Sequence, residues 1–213
     1  MHVLPDPPDA PPALHAIVLA AGASTRFGSP KQLVRLQGRP LLHLAVARAV
    51  EVAGQAVTVV LGAHAAELAP LLRHTPASVL INRDWEEGLG SSIRAGIARA
   101  GGTGCEGALI VLADQAAITA EDLRRLVTAW RRQPHLIIAA QYGTITGVPA
   151  IFPREDFSAL SGLRGDQGAR SLLHSRGDRV LRVPLASAAI DIDTPEDLLQ
   201  LGAALPGPDG AGP

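Results

Sequence analysis

The feature that most restricts the fold is a regular change of period along the chain. Short apolar runs at His15–Ala20, Ala56–Leu61, Ser78–Ile81, Ala108–Ala113 and Leu136–Ala140 alternate with helical spacing at Pro40–Ala53, Ala65–Arg73, Gly90–Ala100 and Ala120–Arg132. Most runs are apolar at successive positions instead of every second one, so both faces of each strand need cover. Parallel strands joined by crossover helices supply that cover. The pattern predicts one three-layer α/β domain with a mostly parallel, Rossmann-like sheet. Thr119, with Asp122 three residues on, reads as the cap of the fourth helix, which Pro134 follows. Trp130 falls on that helix at a core position.

After Tyr142 the rhythm changes. A Gly/Thr-rich extended piece, Gly143–Phe152, leads to a short helix, a polar loop at Gly162–Gly168 and a second helix. Strands are expected near Val180–Val183 and Ala189–Ile192, and a last helix from Pro195, with Glu196 and Asp197 at its positive end. Residues 1–13 and 205–213 are rich in Pro or Gly with no core pattern, so they read as disordered tails around a domain at 14–204.

Composition narrows the function. Apolar residues make up 47% of the chain, but aromatics only 3%, which excludes a base-stacking nucleic-acid binder. The net charge of −1 is mixed along the chain and offers no basic stripe for a polyanion. A single cysteine, Cys105, excludes a disulfide framework and multi-cysteine zinc patterns, and the seven histidines show no ligand spacing. No apolar stretch approaches a membrane span, and the N-terminus lacks the pattern of an export signal. A cytoplasmic protein with neither nucleic acid nor membrane as partner is expected.

The chemistry concentrates where the first run ends, in Leu19-Ala-Ala-Gly-Ala-Ser-Thr-Arg-Phe-Gly-Ser-Pro-Lys31. In an open α/β sheet, ligands sit beyond the carboxyl ends of the strands. Small residues and Gly22 and Gly28 let backbone N–H groups approach a phosphate chain, and Arg26 and Lys31 add positive charge. The spacing fits neither a Walker loop, with five residues between its glycines, nor the three-glycine dinucleotide fingerprint. Of the 19 basic residues, Lys31 is the only lysine. An ammonium differs from a guanidinium in being a compact, mobile point charge. Lys31 is expected to stand in solvent when the loop holds no ligand. Asp114, closing its strand in the same crevice, is of the type that binds Mg²⁺ alongside phosphate oxygens.

This loop resembles the signature of the molybdopterin-dinucleotide nucleotidyltransferases, the MobA-like NTP transferases, and within them the molybdenum cofactor cytidylyltransferase branch. The resemblance continues through Asn82-Arg-Asp-Trp-Glu-Glu-Gly88 with Ser91, Ser92 and Gly96, then Leu112-Ala-Asp-Gln115 and Gly147-Val-Pro-Ala-Ile-Phe152. It includes Gly165-Asp-Gln-Gly-Ala-Arg170 and Asp191-Ile-Asp-Thr-Pro-Glu-Asp197, and so spans nearly everything between the tails. One departure is Ala116, where the family usually has proline.

The resemblance implies a fold of the nucleotide-diphospho-sugar transferase (GT-A-like) type and Mg-dependent transfer of a cytidylyl group from CTP to the terminal phosphate of molybdopterin. It implies nucleotide contacts at Leu19, Ala20, Ala21, Gly22, Asn82, Gly88 and Ser92, and catalytic charge from Lys31 and Arg26. It further implies Mg²⁺ on Asp114 with Asp193 or Asp191, of which register with the family favours Asp193. Asp166 and Arg170 fall to the acceptor, and a client molybdoenzyme is an implied partner. Guanylyl relatives usually carry a glycine where this chain has Ala21. Guanylyl transfer, another phosphorylated acceptor, and a non-catalytic cofactor carrier stay open as alternatives.

Overall fold

Strand β1 (Leu14–Ala20) is buried at every position and lies in the middle of a seven-stranded sheet. Its alternation splits the core in two. Ala16, Val18 and Ala20 face one hydrophobic cluster, and Ile17 and Leu19 face the other. The computed structural model describes residues 11–24, 30–190 and 197.

After β1 a two-residue hairpin, β2 (Arg35–Leu36) and β3 (Arg39–Pro40), leads into helix α1 (Leu41–Ala53). β4 (Val57–Leu61), α2 (Ala65–Leu68), β5 (Ser78–Ile81), α3 (Leu89–Gly101) and β6 (Gly107–Leu112) follow. The second half comprises α4 (Ala120–Arg132), β7 (Ile137–Tyr142), β8 (Ile145–Pro153), α5 (Phe157–Ser161), α6 (Ala169–Ser175) and β9 (Val180–Pro184). The sheet order is β5-β4-β1-β6-β8-β7-β9, and β8 alone runs against its neighbours. The chain is thus a single α/β domain with a mostly parallel sheet, as the change of period predicts. Helices α1 and α4 pack on one face through Leu42, Val46, Leu126 and Trp130. Helix α3, with α5 and α6, covers the other through Ile93, Ile97, Leu160 and Leu172. Among the described residues no helix is long and apolar enough to cross a membrane.

Local physics explains most boundaries. Thr119 Oγ1 accepts from the Asp122 amide at 3.1 Å, and Asp122 Oδ2 accepts from the Thr119 amide at 3.0 Å, a reciprocal capping box. Trp130 is fully buried and donates through Nε1 to the Pro134 carbonyl. A Cβ on Gly107 would lie 2.3 Å from its ring, so strand and helix meet at a glycine. Helix α3 approaches β1 in the same way, because a Cβ on Gly96 would lie 2.5 Å from Ile17 Cγ2.

Three expectations need correction. The helix expected at Ala65–Arg73 is a single α turn followed by a 3₁₀ turn at Ala69–Leu72, because Pro70 lacks the N–H that would continue it. The run at Ser78–Ile81 is covered on one face only, as its place at the sheet edge requires. Ala189, expected to begin a strand, ends a 3₁₀ turn at Ala186–Ala189. Ile190 is in no strand either, and Asp191 and Ile192, the start of the last helix and the segments 1–10 and 205–213 lie outside the described residues.

Candidate active site

From β1 the chain moves outward through β4 to β5, then returns to lay β6 on β1's other side. The reversal leaves a crevice beyond the carboxyl ends of β1 and β6, the place where open α/β sheets bind ligands. A cavity of about 540 Å³ opens there.

Its floor is the strand exit Leu19–Gly22, with Leu112, Ala113 and Asp114 beside it. The Ala113 amide donates to the Leu19 carbonyl at 3.0 Å and carries the β1–β6 pairing to the edge of the site. Asp114 stands in the turn just past β6, where the Ala116 amide donates to the Asp114 carbonyl at 2.8 Å. That hydrogen bond holds the turn in place of the family's usual proline, which has no N–H to give.

Lys31 faces Asp114, with Nζ 3.6 Å from Oδ2. Its side chain is only 13% exposed, against 34% for the carboxylate, so the ammonium is sheltered and not standing in solvent as expected. Two groups pin it. Ser24 Oγ accepts from the Lys31 amide at 3.2 Å, and Gln32 Nε2 donates to the carbonyls of Ala20 and Gly22 at 3.3 and 3.4 Å. These contacts tie the two ends of the loop to the strand exit. Arg26, Asp191 and Asp193 lie outside the described residues. Among the described residues no group of three or more His, Cys, Asp or Glu side chains could hold a metal ion. Asp114, a partly exposed carboxylate opening on a cavity of phosphate-chain size, fits one ligand position for a hard divalent cation.

The opposite wall is built from Trp85, Glu86, Gly88, Leu89, Ser92 and Asp166. Gly88 has φ +110°, and a Cβ there would lie 2.5 Å from Asp166 Oδ1, so only glycine permits this contact. Asn82 stands behind the wall. It is buried, it does not line the cavity, and its Nδ2 donates to Ser91 Oγ at 2.8 Å and Ser92 Oγ at 3.1 Å. Its Oδ1 accepts from the Asp84 amide at 3.0 Å, so its amide fastens the turn to α3. At the N-terminus of α3 the Gly90 amide is already given to the Gly165 carbonyl at 2.9 Å. Arg170 lines a second, smaller cavity of about 100 Å³, which shares Leu19, Leu89 and Leu112 with the first and adds Tyr142 and Val148.

The structure puts Leu19–Gly22, Gly88, Ser92, Asp114 and Lys31 on one cavity and adds Asp166, which the sequence assigns to the acceptor. Sequence reasoning missed Ser24, Gln32, Trp85, Glu86 and Leu89. For Gln32 the only available signal was its position next to the sole lysine.

A parallel-sheet crevice with a glycine-punctuated loop, a sheltered lysine and a facing aspartate defines a nucleotide-handling α/β enzyme. The chain belongs to the MobA-like NTP transferase domain family, whose model matches residues 16–180. It is 32% identical to the purine catabolism protein PucB of Bacillus subtilis, over 87% of this chain and 94% of that protein. It is 30% identical to nicotine blue oxidoreductase of Paenarthrobacter nicotinovorans, over 89% and 97% respectively. A probable molybdenum cofactor guanylyltransferase of Rhodopirellula baltica is 33% identical over 63% of this chain and 64% of its own length. Among solved structures, Rv0371c of Mycobacterium tuberculosis superposes with a TM-score of 0.78 at 28% identity, covering 92% of this chain and all of that one. The same protein has been crystallised with manganese. A nucleotidyl transferase of Methanothermobacter thermautotroptrophicus shares the fold, with a TM-score of 0.77 at 20% identity over 90% of this chain and 97% of that one.

Proposed function

We propose that the chain transfers a cytidylyl group from CTP to the terminal phosphate of molybdopterin and releases pyrophosphate. The observation that carries this reading is the Lys31–Asp114 pair, 3.6 Å apart at the switch point of the sheet and opening on a cavity of about 540 Å³. The kinship fixes the domain but not the substrates, since relatives of similar identity carry names from purine and nicotine catabolism.

In this reading the triphosphate lies along Leu19–Gly22, where small residues let backbone N–H groups come close. Lys31 supplies compact positive charge as it accumulates on the α- and β-phosphates, and Arg26 adds a second positive charge. A phosphate acceptor is already ionised near neutral pH, so the chain's task is positioning and charge neutralisation, without a general base. Asp114 together with Asp193 or Asp191 would hold Mg²⁺, which when bound neutralises phosphate charge. Gly88 and Ser92 bound the nucleotide from the α3 side, Asn82 keeps Ser92 in place from behind, and Asp166 and Arg170 border the acceptor's path.

Base choice is assigned to Ala21. Ala21 lines the cavity, and in this reading its methyl takes up space that a larger purine would need. The test is pyrophosphate release with CTP or GTP in the presence of molybdopterin. CTP should exceed GTP in kcat/KM by about tenfold or more, the ~1–3 kcal/mol of a methyl-sized difference. A GTP preference rejects the cytidylyl assignment, and no pyrophosphate with either nucleotide rejects transfer to this acceptor.

A further inference from the structure

The loop Gly162–Gly168 separates the two cavities, since Asp166 lines the first while Gly168 lines the second. It has no sheet or helix of its own. Inside the loop, the Arg164 amide donates to Gln167 Oε1 and the Gln167 amide to the Arg164 carbonyl. These bonds shape the loop without fixing where it sits.

Beside the bonds of Gly162 and Leu163 to α5 and of Gly168 to α6, its hydrogen bonds to α3 among the described residues fall at two points one helical turn apart. The first is the Gly90 amide on the Gly165 carbonyl, at 2.9 Å. The second is Arg94. Its Nη1 donates to the Leu163 carbonyl at 2.7 Å and to Glu87 Oε1 at 2.8 Å, while Nη2 donates to Glu87 Oε2 at 2.5 Å. One guanidinium thus grips both the 3₁₀ turn Trp85–Glu87 and the loop. Those two segments carry Trp85, Glu86 and Asp166 to the wall of the first cavity. The phosphate side of that cavity, Leu19–Gly22 with Lys31 and Asp114, belongs to β1, β6 and the turns beyond them and makes none of these bonds, and Ser92 on the nucleotide's α3 side is held by Asn82 instead.

We infer that Arg94 is a positioning residue: it sets the Gly162–Gly168 loop, and Asp166 with it, against the cavity, and so governs affinity for the acceptor and not for the nucleotide. The planar fork is what makes the arrangement possible. It satisfies a carboxylate with two parallel N–H groups and still directs an N–H at a carbonyl, a geometry that an ammonium cannot reproduce. The hydrogen bonds from Arg94 hold the Glu87 carboxyl below its ordinary value against the opposing desolvation, with a smaller contribution from the Gly165 backbone. Glu87 therefore stays ionised, and the clamp stays closed, through the neutral range.

This inference rests on the acceptor reading above, so its test has one arm that needs no acceptor. Arg94→Met and Arg94→Lys in the full chain are compared with wild type by amide hydrogen exchange of the Gly162–Gly168 peptide and by CTP affinity in calorimetry. Steady-state kinetics with molybdopterin forms the second arm. Arg94→Met should accelerate loop exchange about tenfold and raise the acceptor KM about tenfold or more, with CTP affinity within about twofold of wild type. Arg94→Lys should recover part of the acceptor KM. Unchanged loop exchange, or equal losses for CTP and acceptor, would overturn the inference. If wild type transfers nothing to molybdopterin while Arg94→Met still loosens the loop at constant CTP affinity, the acceptor reading fails and the clamp stands.

Discussion

The two walls of the cavity are made differently. The donor wall, as the proposed reading assigns it, is the continuation of two parallel strands, and its residues follow one another in sequence from Leu19 to Gly22 and from Leu112 to Asp114. The wall that the same reading turns toward the acceptor is assembled from a turn, a helix start and a loop far apart in the chain, joined by Arg94, Gly88 and Gly90. A wall built on strands is rigid and presents backbone groups at fixed spacing, as a phosphate chain requires. A wall held by the side chains of Arg94 and Asn82 and by close approaches at glycines can differ among relatives without disturbing the sheet. The contrast fits a domain family whose members bear names from unrelated pathways.

Changes on the donor wall should act on turnover, and changes on the acceptor wall on affinity for the second substrate. The largest effect is expected at Asp114. Asp114→Asn keeps the shape and removes the charge, so kcat should fall by about 10²–10³ while circular dichroism reports an intact fold. Near-normal turnover would take Asp114 out of the site.

Gly88→Ala should be next. It forces an L residue to φ +110° and drives a methyl into Asp166. Stability should fall by about 1–3 kcal/mol, and KM should rise both for CTP, which Gly88 bounds in the proposed reading, and for the acceptor, whose path Asp166 borders. Unchanged KM values for both substrates would take Gly88 out of the site.

The smallest effect lies at the far end of β1, away from both walls. His15 Nε2 is 2.8 Å from Thr58 Oγ1, which is 3.0 Å from Ser78 Oγ, and Ser78 donates to the Val57 carbonyl. With the Ser78 proton committed, Thr58 donates to Ser78 and accepts from His15 Nε2–H. That leaves Nδ1 buried as an unprotonated nitrogen without a hydrogen-bond partner among the described residues. Burial, and secondarily Arg99, lower the His15 pKa below 6.5. A lowered folded-state pKa means the contribution is fully present above 6.5 and is lost as pH falls through that value toward the folded pKa. Wild type should lose more stability than His15→Gln between neutral and mildly acidic pH, read as a larger fall in Tm. Parallel Tm profiles would contradict the buried neutral imidazole.

The same contrast explains what was legible in the sequence. The sheet, the capped helix α4 and the donor wall follow from local period, and their residues are neighbours in the chain. The acceptor wall was legible only as motifs, because the Arg94–Leu163 contact joins residues with no common period. Arg94 itself looks like any arginine on a solvated helix face. The shelter of Lys31 was equally hidden, since it depends on Ser24 and Gln32 closing the loop ends onto β1.

The most direct test of the account is steady-state pyrophosphate release from CTP and acceptor by Lys31→Ala and Lys31→Arg, each verified as folded. Losing a group that neutralises transition-state charge removes about 3–4 kcal/mol, so Lys31→Ala should cut kcat by about 10²–10³. Lys31→Arg should not restore it, because a wide, planar guanidinium does not fit the sheltered space beside Asp114. Wild-type kcat in Lys31→Ala would remove the chain's only lysine from the chemistry, and full activity in Lys31→Arg would show that its charge matters but its compact shape does not.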